Sequence, residues 1–161
     1  DNFVGAPVEG YSAPRGLLTL PAAQALARVA EVARREGFLL KAFDCYRPAR
    51  AVAHFKRWAE DEADTRTKLD YYPLYSKPEL FEQGYIASQS GHSRGSTLDM
   101  TLVDAQDGQD LEMGTPFDLF SPLSWGTSLE VSEKAQANRK RLARMMMDQG
   151  FEPFAMEWWH F

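Results

Sequence analysis

Three histidines stand out in a chain of 161 residues, because two of them keep company that could hold a metal. His92 sits in Ser90-Gly91-His92-Ser93-Arg94-Gly95, and Asp99 follows seven positions later. His160 closes Glu157-Trp158-Trp159-His160. Zinc accepts imidazole nitrogen and carboxylate oxygen, and a catalytic zinc site keeps three protein ligands with one position open. His92, Asp99 and His160 would supply that set, leaving Glu157 free as a general base. A helix brings together residues three or four apart, so the spacing from His92 to Asp99 asks for a loop folded back beside a strand, with Gly95 permitting the turn. A regular strand would point Glu157 and His160 to opposite faces, so joint use of both requires a turn or bulge between them. The plain alternative, a loop histidine and an unrelated carboxylate, stays open on spacing alone. A thiol hydrolase pairing the single cysteine, Cys45, with His92 or His160 is a second enzyme reading, though Cys45 follows an apolar run and reads as buried. His54, among helix positions beside Arg57 and Trp58, reads as a surface residue without a role.

The bulk properties narrow the field. At this length the expectation is one domain over residues 1–161, large enough to bury a core without help from a metal. A metal here would therefore be catalytic rather than structural. Apolar residues make up 44% and charged residues 25%, the balance of an ordinary globular protein. The net charge of -5 argues against a nucleic-acid partner, whose phosphates need a basic face. One cysteine allows no internal disulfide, and no run of 18 apolar residues is present to span a membrane. The chain opens on Asp1 instead of methionine and ends one residue past His160, so both termini read as truncated and the compartment stays open.

The elements that must position these groups follow from periodicity. Residues 21–35 form a first helix, with Pro21 in its first turn, Ala22, Leu26, Val29 and Ala33 on one face, and Gly37 at its close. Residues 38–43 read as a buried strand running into Asp44-Cys45-Tyr46-Arg47. Pro48 opens a second helix carrying Val52, Phe55 and Ala59. Residues 69–90 lack a clear period and read as a long functional loop, a lid or binding wall. Tyr71, Tyr72 and Tyr75 within it fit core packing better than a pocket wall. Residues 97–103 alternate, with Leu98, Met100 and Leu102 on one face and Thr97, Asp99 and Thr101 on the other. Asp107-Gly108 signals a hairpin with a return strand at residues 111–113. Ser132 caps a third helix through Gln149 with Gly150 beyond it. Residues 151–154 and 157–161 read as strands. The order implies an α+β domain, a central antiparallel sheet with about three helices.

These motifs carry a resemblance. Residues 90–99 together with Glu157-Trp158-Trp159-His160 resemble the VanX-type D-alanyl-D-alanine dipeptidases. That branch lies in the wider group of zinc peptidases that includes D,D-carboxypeptidases and shares the hedgehog-type fold. Asp44-Cys45-Tyr46-Arg47-Pro48, Met113-Gly114-Thr115-Pro116-Phe117-Asp118, Ala135-Gln136-Ala137-Asn138-Arg139 and the early segment from Asp1 to Tyr11 are similar to the same branch. The resemblance implies one Zn2+ held by His92, Asp99 and His160, Glu157 as general base, and Arg47 as stabiliser of the transition state. Its implied substrate is the small dipeptide D-Ala-D-Ala, and its implied setting is bacterial, in the periplasm and cell envelope or in the cytoplasm. A free dipeptide needs an anion for its ammonium and donors for its carboxylate. Asp118 is the candidate for the first, and Ser90 a candidate for hydrogen bonding to substrate. Read without the resemblance, Arg47 is a structural arginine pairing Asp44 or Asp118, and Asp118 a loop carboxylate. Three alternatives remain beside the dipeptidase: the thiol hydrolase, a non-catalytic zinc-binding module, and a D,D-carboxypeptidase or cell-wall endopeptidase. Oligomeric state is not legible in the sequence.

Overall fold

The computed structural model describes residues 2–161, and Asp1 of the early motif lies outside them. The order is α1 (Leu20–Arg35), β1 (Phe38–Asp44), α2 (Ala49–Glu60), α3 (Lys68–Tyr71), α4 (Lys77–Glu82), β2 (Asp99–Asp104) and α5 (Glu133–Met147), with single 3-10 turns at Gly91–Arg94 and Pro122–Ser124. The architecture is α+β. The three long helices are those expected, and α3 and α4 are additional.

β1 and β2 pair antiparallel, from Phe38 opposite Asp104 to Asp44 opposite Asp99, with a bulge between Ala42 and Asp44. This two-stranded sheet is the whole of the regular sheet among the described residues. β2 is buried along most of its length, whereas β1 is half-exposed, with Leu39 on the outside. The expectation of a buried first strand therefore does not hold. β1 is an edge strand, packed by α1 and by the stacking of Phe43 on Phe117, with Leu39 left outside. The expected hairpin turn forms, with Asp104 N donating to Gln109 O at 2.9 Å. Its return is a single bridge, Val103 to Asp110, rather than a strand.

Two apolar clusters hold the molecule. One joins α1, β2, α5 and the C-terminal segment around Val29, Leu98, Leu102, Leu142, Met146 and Trp159. The other joins the N-terminal segment, α2 and α4 around Phe3, Phe55, Trp58, Tyr72, Leu80 and Phe120. Residues 69–90 thus contribute to a core, and Tyr72 is buried there. α3 and α4 are four and six residues long, too short to impose an amphipathic period. α4 instead begins with a capping box, Ser76 and Glu79 bonding reciprocally. His54 has a structural contact, its Nδ1 accepting from Glu9 N at 3.2 Å.

Candidate active site

The site lies where three chain segments meet at the start of β2. Asp99 is the first residue of that strand and is 2% exposed. The C-terminal segment runs antiparallel to it. Leu98 and Phe161 exchange backbone hydrogen bonds at 2.9 and 3.0 Å, and Met100 N donates to Trp159 O at 2.9 Å. His160 is thereby bridged to Asp99. This segment pairs as a strand would, yet it is not a regular strand as expected. Between Glu157 and His160 the chain makes a turn, closed by His160 N donating to Glu157 O at 3.2 Å. The turn swings the Glu157 carboxylate back toward the ring of His160, 3.4 Å from Oε2 to Nδ1.

His92 arrives on the 3-10 turn at Gly91–Arg94. Ser90 Oγ caps that turn by accepting from His92 N at 3.2 Å, and Gly95 ends it at a φ of 73°. A left-handed residue at that corner suits glycine and redirects the chain into β2. Arg47 N donates to His92 O at 3.3 Å, tying the turn to the β1–α2 connection.

His92 Nε2 lies 3.4 Å from Asp99 Oδ2, and His160 Nδ1 lies 3.1 Å from Asp99 Oδ1. One ligand atom from each of His92, Asp99 and His160 falls within 4.8 Å of the others. Nδ1 of His92 sits 2.8 Å from Cys45 O, which can only accept, so Nδ1 carries a proton toward it and Nε2 is the nitrogen left for a metal. His92 Nε2 and Asp99 Oδ1 are also buried without an aligned hydrogen-bond partner among the described residues. Two buried polar atoms left unpaired and turned toward a common point are costly in a purely protein site. Two imidazole nitrogens and a carboxylate oxygen are the donor set for zinc. The residues fit such an ion.

Arg47 anchors the opposite wall. Its Nε donates to Asp44 Oδ2 at 2.9 Å, Nη1 to Ser90 Oγ at 3.4 Å, and Nη2 lies 3.9 Å from Asp99 Oδ2. Arg47 pairs with Asp44, as its structural reading expects, and also lines the cavity. That cavity is about 150 Å³. Its polar lining includes Arg47, Ser90, His92, Asp99, Asp118, Glu157 and His160, and its apolar walls include Phe3, Phe55, Phe120 and Phe154. Pockets for drug-sized molecules run to about 300–1,000 Å³, so this one admits only a small ligand.

Burial sets the charges, modified by neighbours. Desolvation alone would raise the Asp99 carboxyl, but the His160 and His92 rings hold it at about 2. Burial would lower the His160 ring, and Asp99 and Glu157 overcome this to push it to about 9. Burial raises Glu157, partly opposed by His160. Asp118 is raised well above the carboxylate range by burial and by the charges of Asp99 and Glu157. Cys45 is buried, its thiol pushed up to about 11 by desolvation, and it does not line the cavity. A protonated thiol outside the site removes the geometric basis for the thiol hydrolase.

All seven candidate residues, Arg47, Ser90, His92, Asp99, Asp118, Glu157 and His160, line this one cavity. Tyr11 was not singled out by sequence reasoning. Its hydroxyl donates to Asp44 at 2.9 Å across a separation of 33 residues, which no local pattern announces. The four phenylalanine walls were likewise missed as site residues, because apolar periodicity reads them as core.

Comparison with known proteins now bears on this geometry. Residues 1–161 match the peptidase M15 family model described as D-Ala-D-Ala dipeptidase. The chain belongs to this family. A D-alanyl-D-alanine dipeptidase of Streptomyces coelicolor is 44% identical over the whole chain, which covers 80% of that relative. Proteins of the same description from Enterococcus faecium and Escherichia coli are 40% and 33% identical, covered to 80% and 72%. The family is one of peptidases, and among the described residues His92, Asp99 and His160 form a group that could hold a metal.

Proposed function

We propose that this chain is a zinc-dependent dipeptidase that hydrolyses free D-Ala-D-Ala. The observation that carries the reading is the convergence of His92, Asp99 and His160 on a cavity of about 150 Å³ that also holds Glu157 and Arg47. The relatives' shared description as D-alanyl-D-alanine dipeptidases supports the substrate. His92 Nε2, Asp99 and His160 Nδ1 would hold the zinc, with Cys45 O fixing the His92 ring. A zinc bound there supplies Lewis-acid polarisation of the peptide carbonyl and makes a water nucleophilic near neutral pH.

The protein's own groups do the rest. Glu157 accepts the proton of the attacking water and delivers it to the leaving amine, a general acid–base role worth about 10²–10⁴-fold. Arg47 stays charged at any working pH and turns its outer N–H groups toward the developing oxyanion, while Asp44 holds its Nε. Ser90 Oγ already accepts from His92 N and Arg47 Nη1, so its own proton is available to the substrate. Asp118, raised while alone among carboxylates, ionises when an α-ammonium takes its place beside it. The phenylalanine walls leave room for methyl side chains and exclude water from the reacting bond.

The test is release of D-alanine from D-Ala-D-Ala by the zinc-loaded protein, with a chelator control and a longer, N-blocked D-Ala-D-Ala peptide as comparison. Cleavage of the free dipeptide that a chelator abolishes is the expected result. An intact dipeptide would support the binding-module reading, and preference for the longer peptide would support a carboxypeptidase or endopeptidase.

A further inference from the structure

One buried charge takes no part in the chemistry above. Arg139 on α5 is 1% exposed, and burial pulls its guanidinium down to about 10 with no carboxylate nearby to compensate among the described residues. A charge buried without a counter-ion is expensive, so its remaining contacts must be worth that cost. They are backbone carbonyls. Nε donates to Met113 O at 2.7 Å, and Nη1 to Leu123 O at 2.9 Å and Trp125 O at 2.8 Å. Nη2 reaches Thr115 Oγ1 at 3.4 Å.

Met113 and Leu123 are the two feet of a loop that carries Asp118 between them. One planar fork therefore closes the loop at its base, a geometry that the single ammonium of a lysine does not reproduce. The loop needs closing, because Asp118 has a φ of 63°, the one positive value for a non-glycine among the described residues. A left-handed backbone is uncommon for a residue with a Cβ, even for Asp, which tolerates it better than most, and it persists where its surroundings enforce it. Thr115 ties the clamp to the chain segment that carries Glu157. Its Oγ1 accepts from Trp158 Nε1 at 2.9 Å and lies 3.1 Å from Ser124 Oγ, while Trp158 N donates to Ser124 O at 2.9 Å. Trp158 directly follows Glu157.

We propose that Arg139 is a positioning residue that, through Thr115, sets Asp118 at the distance from Glu157 that suits a free α-ammonium. The inference rests on the assignment of Asp118 to the ammonium. None of the groups Arg139 bonds is His92, Asp99 or His160, so its effect falls on substrate choice and not on metal binding.

The zinc-loaded protein is compared with Arg139→Lys and Thr115→Val variants. Two constants are measured: KM for D-Ala-D-Ala, and the inhibition constant of N-acetyl-D-Ala-D-Ala as competitor, which lacks the ammonium. In the Arg139→Lys variant KM should rise about tenfold or more, as misplacement of a binding group does, while the acetylated peptide binds as before and zinc stays stoichiometric. Thr115→Val keeps the three carbonyl bonds and loses only the hydroxyl junction, so it should move the same ratio in the same direction by less. If Arg139→Lys does not fold, Thr115→Val decides. An unchanged ratio in a zinc-loaded variant overturns the proposal, even where its melting temperature has fallen. A wild-type protein that binds the acetylated peptide as well as the free one overturns the Asp118 assignment instead.

Discussion

Replacing Glu157 by glutamine removes one carboxylate while keeping the length and volume of the side chain. The turn that presents it is closed by backbone atoms, His160 N to Glu157 O at 3.2 Å, so its shape survives the substitution. The side chain meets the ligand set only at His160 Nδ1, 3.4 Å away, and no ligand atom is lost. Zinc content should therefore stay near one per chain. Turnover should not. Burial raises the Glu157 carboxyl toward the pH at which it works, which favours a base that must take a proton and then return it. Losing that function should lower kcat by about 10²–10⁴, equivalent to roughly 2.7–5.4 kcal/mol of barrier. The assay is D-alanine release at saturating D-Ala-D-Ala, with metal analysis of the same preparation. Turnover within about fivefold of wild type would refute the assignment of the base. Loss of zinc with loss of turnover would refute the division of labour, showing Glu157 to be a ligand. Glu157→Ala should behave the same way, with some added cost from the space it leaves.

His92→Ala and Asp99→Ala each remove one of the three proposed ligands and should lower zinc content well below one per chain by metal analysis; full occupancy in either would remove that residue from the set. Zinc binding should also release a proton from His160. Asp99 and Glu157 keep that ring protonated up to about 9 in the metal-free site, and a ligating nitrogen must give its proton up. Calorimetry at pH 6 in buffers of different ionisation heat should show about one proton released per zinc, and no release would exclude His160 Nδ1 as a ligand. Away from the site, Lys77 is 3% exposed and donates to Trp58 O and Asp61 O at 2.7 Å each, closing the end of α2. Lys77→Met removes the charged donor from both carbonyls, leaving each with only a long backbone bond of 3.3 Å, from Asp61 N to Trp58 O and from Asp64 N to Asp61 O, and should cost about 2 kcal/mol, a fall in melting temperature of about 4–8 °C with activity at 25 °C retained.

The parts of this site that were legible in the sequence are those in which residue type limits the options. Few side chains bind zinc, the chain has three histidines, and two of them stand near carboxylates. The strand at Asp99 and the cap at Ser132 likewise report local physics, and both are present in the fold. The turn between Glu157 and His160 was also accessible, because a strand cannot present both to one place. What stayed hidden depends on contacts between distant segments. The C-terminal residues alternate like a strand and do pair with β2, yet the turn that makes them chemically useful breaks the strand. α3 and α4 are too short to show a period, so the wall they support looked like loop. Asp44 is the most instructive case. In the sequence it competes with function, as the partner that would make Arg47 merely structural. In the fold its two oxygens accept from Tyr11, Arg47 Nε and the Cys45 amide, and Cys45 O in turn fixes the His92 ring. A guanidinium held by one nitrogen presents the others in a defined direction. The ion pair that argued against a catalytic Arg47 is thus what would make it an effective one.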